Sequence, residues 1–390
     1  MKYVQPMVLL IAGAFACKPA PTTDGQDPQT KLTLELVDSL VVNELEPLVI
    51  DDYLEGSGKF LLRGNKSRKP HLVAETGEIV QVFDVLHDGP NGMGSGAFGY
   101  GFLNADQWVA QGLFNGYHVY DLAGNKLQLL DPIHLDIFSM SMYSYRTFFR
   151  GFTTNGKRML VGQEQNLFDP GSLTEEERQS AVYYDRAKTV FSYEVDSSKL
   201  RLLETYPEEW KPRKEGKMLG PSPPIVAYHR GRQELALLPT IGDQLFVYDF
   251  AGERPLLKYQ VDLRHRFRPE GLPEQVGDYS SYPAFTDLRY VGKKLLVEFK
   301  TRIPEDIVTQ LRAASEYRYE SPLFKEAMAT YSKPYYMVVA GGKQVGVLDG
   351  LPLSGALDFA DENGYIYVND NLDPAVERDY NVFYRLKFME

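Results

Sequence analysis

Tyr117-His-Val-Tyr-Asp-Leu-Ala-Gly-Asn-Lys-Leu-Gln-Leu-Leu130 reads as an alternating strand, a turn at Ala-Gly-Asn and a second strand, and the chain keeps repeating that sketch. His71–Phe83, Val190–Leu203 and Leu245–Tyr259 follow it, each with turn residues that let the backbone reverse. A second strand–turn–strand piece recurs at Gly101–Gln111, Gly151–Val161, Val226–Leu237, Ala284–Val297 and Leu357–Val368. Two such hairpins in succession make a four-stranded antiparallel sheet, which is one propeller blade. Aligned on Val73, Tyr120, Tyr193, Tyr248, Ala340 and Tyr384, the units number six, with spacings of 47, 73, 55, 92 and 44 residues. Short spacings fit one blade and long ones carry insertions. The sequence therefore predicts an all-β, six-bladed β-propeller with short helical insertions. A seven-bladed ring is the rival, because the 92-residue gap has room for a degenerate unit. A pair of β-sandwiches is the plainer alternative.

Closure supports the ring. A strand-like Leu32–Val37 opens the folded part and Tyr380–Phe388 ends it. Pairing the two would leave no free sheet edge. The insertions supply the helices. Ser172-Leu-Thr-Glu175 has the form of a capping box and predicts a helix to about Lys188. Pro304 suits the first turn of a helix through Arg312, and Ser321-Pro322 starts another near Phe324–Tyr331.

The N-terminus addresses the chain. Lys2 precedes an apolar run from Val8 to Phe15, followed by Ala16 and by Cys17, the single cysteine. That run is shorter than the roughly 20 residues a membrane-spanning helix needs, so it reads as a removable export signal. A lone cysteine directly behind it is the acylation site of a lipoprotein; an ordinary secretory signal with an incidental cysteine is the alternative. The expected organisation is a signal at 1–16, a tether at 17–31 and a propeller at 32–390. The tether, Lys18-Pro-Ala-Pro-Thr-Thr-Asp-Gly-Gln-Asp-Pro-Gln-Thr-Lys31, has no aromatic or branched aliphatic residue and cannot bury itself. One cysteine excludes intramolecular disulfides and cysteine-rich zinc sites. A net charge of −11 leaves no broad basic footprint for nucleic acid.

His87-Asp-Gly-Pro-Asn-Gly-Met-Gly94, placed between the first hairpin and Gly101-Phe-Leu-Asn104, resembles a glycine-proline-asparagine-glycine stretch of known lipoproteins. Those are Bacteroidota-type lipoproteins with a 4221-type domain of unknown function, similar to TolB-like six-bladed propellers. The resemblance implies a propeller at the cell envelope, and no catalytic residues come with it.

Chemical signatures are few. Gly94-Ser-Gly-Ala-Phe-Gly99 matches a dinucleotide fingerprint, but it leads into another strand and not a helix, so it reads as a loop between blades. Ser95 lacks the glycine of a nucleophile elbow, because Met93 stands two positions before it. The six histidines show no paired spacing; His118 reads as structural, while His87, His134 and His229 could meet only through the fold. Asp361-Glu-Asn-Gly364 reads as a turn within the acidic run Asp358, Asp361, Glu362, Asp370 and Asp373. Two aromatic segments precede inner-strand candidates, and their Tyr143, Tyr145, Arg146, Tyr279 and Tyr282 are the candidate ligand-binding residues. Packing between blades is the other reading of the same side chains. No catalytic residue, metal ligand or cofactor is nominated. The expected function is a lipid-anchored binding module for a glycan, peptide or envelope protein, on an outer membrane facing either the periplasm or the outside. An envelope hydrolase or lyase acting at the axial funnel on carbohydrate or peptide is the alternative.

Overall fold

The computed structural model describes residues 29–133, 146–269, 272, 282–373 and 375–389. They form six four-stranded sheets. Blades 1 to 5 each use four consecutive strands, starting from innermost strands Leu48–Leu54, Ala97–Phe102, Phe149–Thr154, Ile225–His229 and Phe285–Val291. Blade 6 begins at Ala356–Ala360, continues through Ile366–Asn369 and Asn381–Phe388, and takes Leu34–Val42 as its outermost strand. Leu34 pairs with Phe388 and Val42 with Asn381, antiparallel, so the two ends of the fold lock the ring. Each blade packs on the next, and blade 6 on blade 1. There are six blades and not seven. The alignment residues Val73, Tyr120, Tyr193, Tyr248, Ala340 and Tyr384 all lie in third strands.

The apolar residues sit where the ring needs them. In blade 2 the innermost and second strands are buried on both faces, whereas its outer strand Lys126–Leu130 alternates between packed and exposed positions. Six apolar clusters result, one in each seam between blades. Between blades 1 and 2, Trp108 lies fully buried, stacked 4.5 Å from Tyr120 and with the tilted Phe83 ring 4.7 Å away. Flat rings fill a seam between twisted sheets while burying a large area each.

Both long spacings are insertions between second and third strands. In blade 5 the insertion holds helices Glu305–Ala313 and Pro322–Tyr331, the second capped by Ser321 through Phe324 N. In blade 3 the expected helix to Lys188 breaks into two short pieces, Glu175–Arg178 and Val182–Arg186. Its capping box runs from Thr174 to Glu177, because Ser172 closes a preceding 3-10 turn. The glycine run behaves as a loop leading into a strand. Gly99 lies in the innermost strand of blade 2, where a Cβ would stand 2.1 Å from Thr147 Oγ1.

Residues 29–31, the described part of the expected tether, pair with the fold. Thr30 O accepts from Val347 N at 2.9 Å and Leu32 N donates to Val347 O at 2.8 Å, a parallel bridge onto the outer edge of blade 5. Gln29 binds Arg264 O through Nε2 at 2.9 Å, and Lys31 pairs with Asp349 at 3.1 Å.

Candidate functional site

Innermost strands of a propeller face a common axis, so a charge in one of them points at the centre. Four of these strands carry a one-residue slip in pairing, between Ile50 and Asp52, Ala97 and Gly99, Phe285 and Asp287, and Leu357 and Phe359. A bulge breaks strict alternation and re-aims the side chains beside it. In blade 1 it gives two adjacent carboxylates separate partners. Asp51 takes a two-point bond from Arg63 at 2.9 and 3.0 Å. Asp52, almost wholly buried, accepts from Tyr53 N at 2.9 Å and from Phe102 N at 2.8 Å.

Asp52 is also where two arginines converge. Arg150 of blade 3 reaches it at 3.2 Å, and Arg230, from the first turn of blade 4, binds both of its oxygens. Arg230 further donates to Gly151 O at 2.7 Å and Tyr53 O at 3.1 Å, tying blades 1, 3 and 4 together across the axis. The same turn gives two backbone N–H groups to the Glu362 carboxylate of blade 6, Arg230 N at 2.6 Å and Gly231 N at 3.0 Å, with His229 Nδ1 at 3.1 Å. Burial pushes the Glu362 carboxyl up, but His229 and Arg230 outweigh it and leave it at about 2. These ties close one end of the axis. The space left along it is about 80 Å³, room for a few waters.

At the other end, where the innermost strands begin, lies a cleft of about 1020 Å³ across blades 4, 5 and 6. Its floor is ionic. Arg146 pairs with Asp287 at 2.7 Å and donates to Leu288 O at 3.0 Å and Val226 O at 3.1 Å. Arg289 holds the other Asp287 oxygen at 2.6 Å and donates to Asp358 O. Burial raises the Asp287 carboxyl, yet Arg146 and Arg289 prevail and hold it at about 2. Burial, with the neighbouring Arg289 and Arg150 charges added to it, lowers Arg146 to about 10 despite its carboxylate partner. Asp358, the bulged residue of blade 6, goes the other way. Burial raises its carboxyl to about 6, and the bond from Ile50 N at 2.9 Å, with the Arg289 and Arg63 charges, opposes that only in part. The walls are largely apolar, with Phe148, Phe285, Tyr335, Tyr336, Leu351 and Leu353 among them.

Of the residues singled out in the sequence, Cys17, Tyr143, Tyr145, Tyr279 and His134 lie outside the described residues. Arg146 stands on the cleft floor, over the Phe148 ring at 5.3 Å. Tyr282 is buried, its hydroxyl 3.2 Å from Gly242 N and from Arg268 Nη2, and it packs in the seam between blades 3 and 4. His118 is buried and lowered to about 4, by burial first and Lys126 second. His87 is exposed, with both ring nitrogens against carbonyls of its own loop. Asp361–Gly364 is the turn between the first two strands of blade 6, and Glu362 in it also serves the cross-axial tie. Sequence reasoning missed Asp51, Asp52, Arg150, Arg230, Asp287 and Arg289. Their signal was adjacent charge inside apolar strands, as in Leu48-Val-Ile-Asp-Asp-Tyr-Leu54.

No family model matches the chain, and no curated relative does. Solved structures do. A member of the domain-of-unknown-function 4221 family from Bacteroides vulgatus superposes with a TM-score of 0.60 at 13% identity, over 93% of this chain and 99% of that one. The two share a fold. A Bacteroides fragilis protein whose name infers export superposes with a TM-score of 0.50 at 10% identity, over 94% of this chain and 98% of that one. The propeller reading of the repeats, and the fold implied by the glycine-rich resemblance, agree with both superpositions. Among the described residues no helix is long and apolar enough to cross a membrane.

Proposed function

We propose that this chain is an envelope lipoprotein of the 4221-type group, anchored through Cys17, that binds a segment of a peptide or glycan in the cleft over blades 4 to 6. One observation carries the reading: a cleft of about 1020 Å³ with apolar walls and an arginine–aspartate floor. Pockets for small ligands run to roughly 1,000 Å³ and are more enclosed, so an open cleft of this size suits part of a polymer. Tyr335 and Leu353 offer it flat and apolar contact, while Arg146 and Arg289 offer charge. The full chain on glycan and peptide arrays tests this. Binding is expected, weakened by about tenfold, or 1.4 kcal/mol, in Leu353→Arg and in Arg289→Gln. Silence on both arrays, or binding that neither substitution alters, overturns it.

Asp358 favours a second reading. A carboxyl raised to about 6 at the floor of a cleft is suited to donate a proton near neutral pH. A hydrolase or lyase acting through it would lose activity in Asp358→Asn while keeping its affinity for substrate.

A further inference from the structure

The first described residues, Gln29 to Lys31, are held beside the cleft. Gln29 is bonded to the Arg264 carbonyl at 2.9 Å and accepts from Arg266 N at 3.3 Å. Lys31 and Arg266 both pair with Asp349, at 3.1 and 2.8 Å, and Asp349 lines the cleft. Phe267, the next residue, lies 4.6 Å from the ring of Tyr335, another cleft residue. Cys17 is therefore twelve residues from a point fixed on the cleft rim, a reach of about 40 Å at full extension.

The same face of the ring exposes apolar side chains. Phe267 is 44% exposed, and in the helical insertion of blade 5 Tyr319 is 81% and Leu323 53% exposed. That insertion leaves the sheet at Lys300 and returns at Lys333, and both residues line the cleft. Beside Phe267 stand the exposed cations Arg264 and Arg266, and Lys31 shares Asp349 with Arg266. Apolar residues flanked by lysine and arginine suit the headgroup level of a phospholipid bilayer. Leu127, an exposed leucine on the outer strand of blade 2, has no such tie to the tether.

We infer that Phe267, Tyr319 and Leu323 form a bilayer-contact face, seating the propeller with its cleft toward the membrane that holds its lipid. The inference rests on acylation of Cys17. It deepens the binding proposal, since the ligand is then reached at the membrane surface.

Trp108 and Trp210 are buried, so an introduced tryptophan reports its own surroundings. Full-length acylated Phe267→Trp, Tyr319→Trp and, as a control, Leu127→Trp are to be reconstituted in vesicles of phosphatidylethanolamine and phosphatidylglycerol with brominated acyl chains. At positions 267 and 319 quenching is expected to be at least about twice that at position 127, with palmitate label on Cys17. Label with equal quenching at all three positions overturns the seating alone. Absence of label overturns the anchoring and this inference with it. A concentration-dependent blue shift of the position 319 emission before vesicles are added assigns the patch to a second copy of the chain, and also overturns it.

Discussion

Asp52 shows how one residue organises the centre of the ring. Its carboxylate satisfies two backbone N–H groups and two arginines drawn from blades 3 and 4. Buried charges persist only when paired and hydrogen-bonded, and removing one partner strands the others. Asp358 lacks such compensation, and this gives it a measurable pH signature. Its carboxyl is raised to about 6, so between pH 4 and 6 the folded chain keeps a proton that the unfolded chain has released. Stability attributable to it therefore falls as pH rises through that window and is level above it. Asp287 and Glu362 act oppositely, since at about 2 in the fold they lose their contribution as pH falls below 4. Asp358→Asn keeps an acceptor for Ile50 N and removes the titration. Urea unfolding at pH 4 and pH 7 should show the variant gaining on the wild type between the two, by at most about 3 kcal/mol. A difference that does not change with pH would remove the account of this carboxyl.

At the scale of single strands and turns, two glycines separate close packing from backbone conformation. Gly151 lies in the innermost strand of blade 3, where a Cβ would stand 2.4 Å from Phe102 O and 2.7 Å from Leu103 Cα. Backbone of the neighbouring blade cannot move aside without opening the seam. Gly156 sits in the following turn at φ +76°, with nothing within 4 Å of a Cβ. Gly156→Ala should cost about 1 kcal/mol, for its left-handed conformation alone. Gly151→Ala should cost more, about 1–3 kcal/mol or above, because it overpacks a seam. Thermal unfolding of the two variants checks the order, and equal losses would contradict it. The same contrast explains what could be read in advance. Turns such as Ala123-Gly-Asn125 and Asp361–Gly364 announce themselves through local residue types, and so did the third-strand anchors from Val73 to Tyr384. Ser321 and Pro304 marked their helices for the same reason. The axial charges did not, because a bulge decides where Asp51 and Asp358 point, and a bulge depends on pairing with a neighbouring strand. Arg230 was further out of reach, since its partner Asp52 lies 178 positions away in the chain.

For the whole ring, closure is the property that no single blade possesses. Leu34–Val42 completes blade 6 from the far end of the chain, and its Leu40 and Val42 are buried in the seam with blade 1. Removing that strand bares the edge of Asn381–Phe388 and empties part of the seam, so a chain lacking residues 29–42 should aggregate through the exposed edge. That result alone would not say whether closure or seam packing had been lost. A circular permutant separates them. Met389 N already donates to Thr33 O at 3.1 Å, so a short glycine linker can join the ends without moving either strand. New termini between Asp88 and Gly89 fall in an exposed loop between blades 1 and 2. Every strand pair is then kept, but no strand is shared across the opened seam, which the Trp108 cluster holds together with hydrogen bonds such as Phe102 N to Asp52 and the Tyr100 hydroxyl to Arg68 O. If strand exchange does no more than protect an edge, the permutant should stay monomeric with its seams intact and unfold in one transition at a lower midpoint. If the exchange itself makes the ring cooperative, blades should unfold in stages from the new gap. Size-exclusion chromatography with calorimetry distinguishes the two. The single transition is expected, because packing runs unbroken through all six seams and the arginines cross the axis between blades that share no strand.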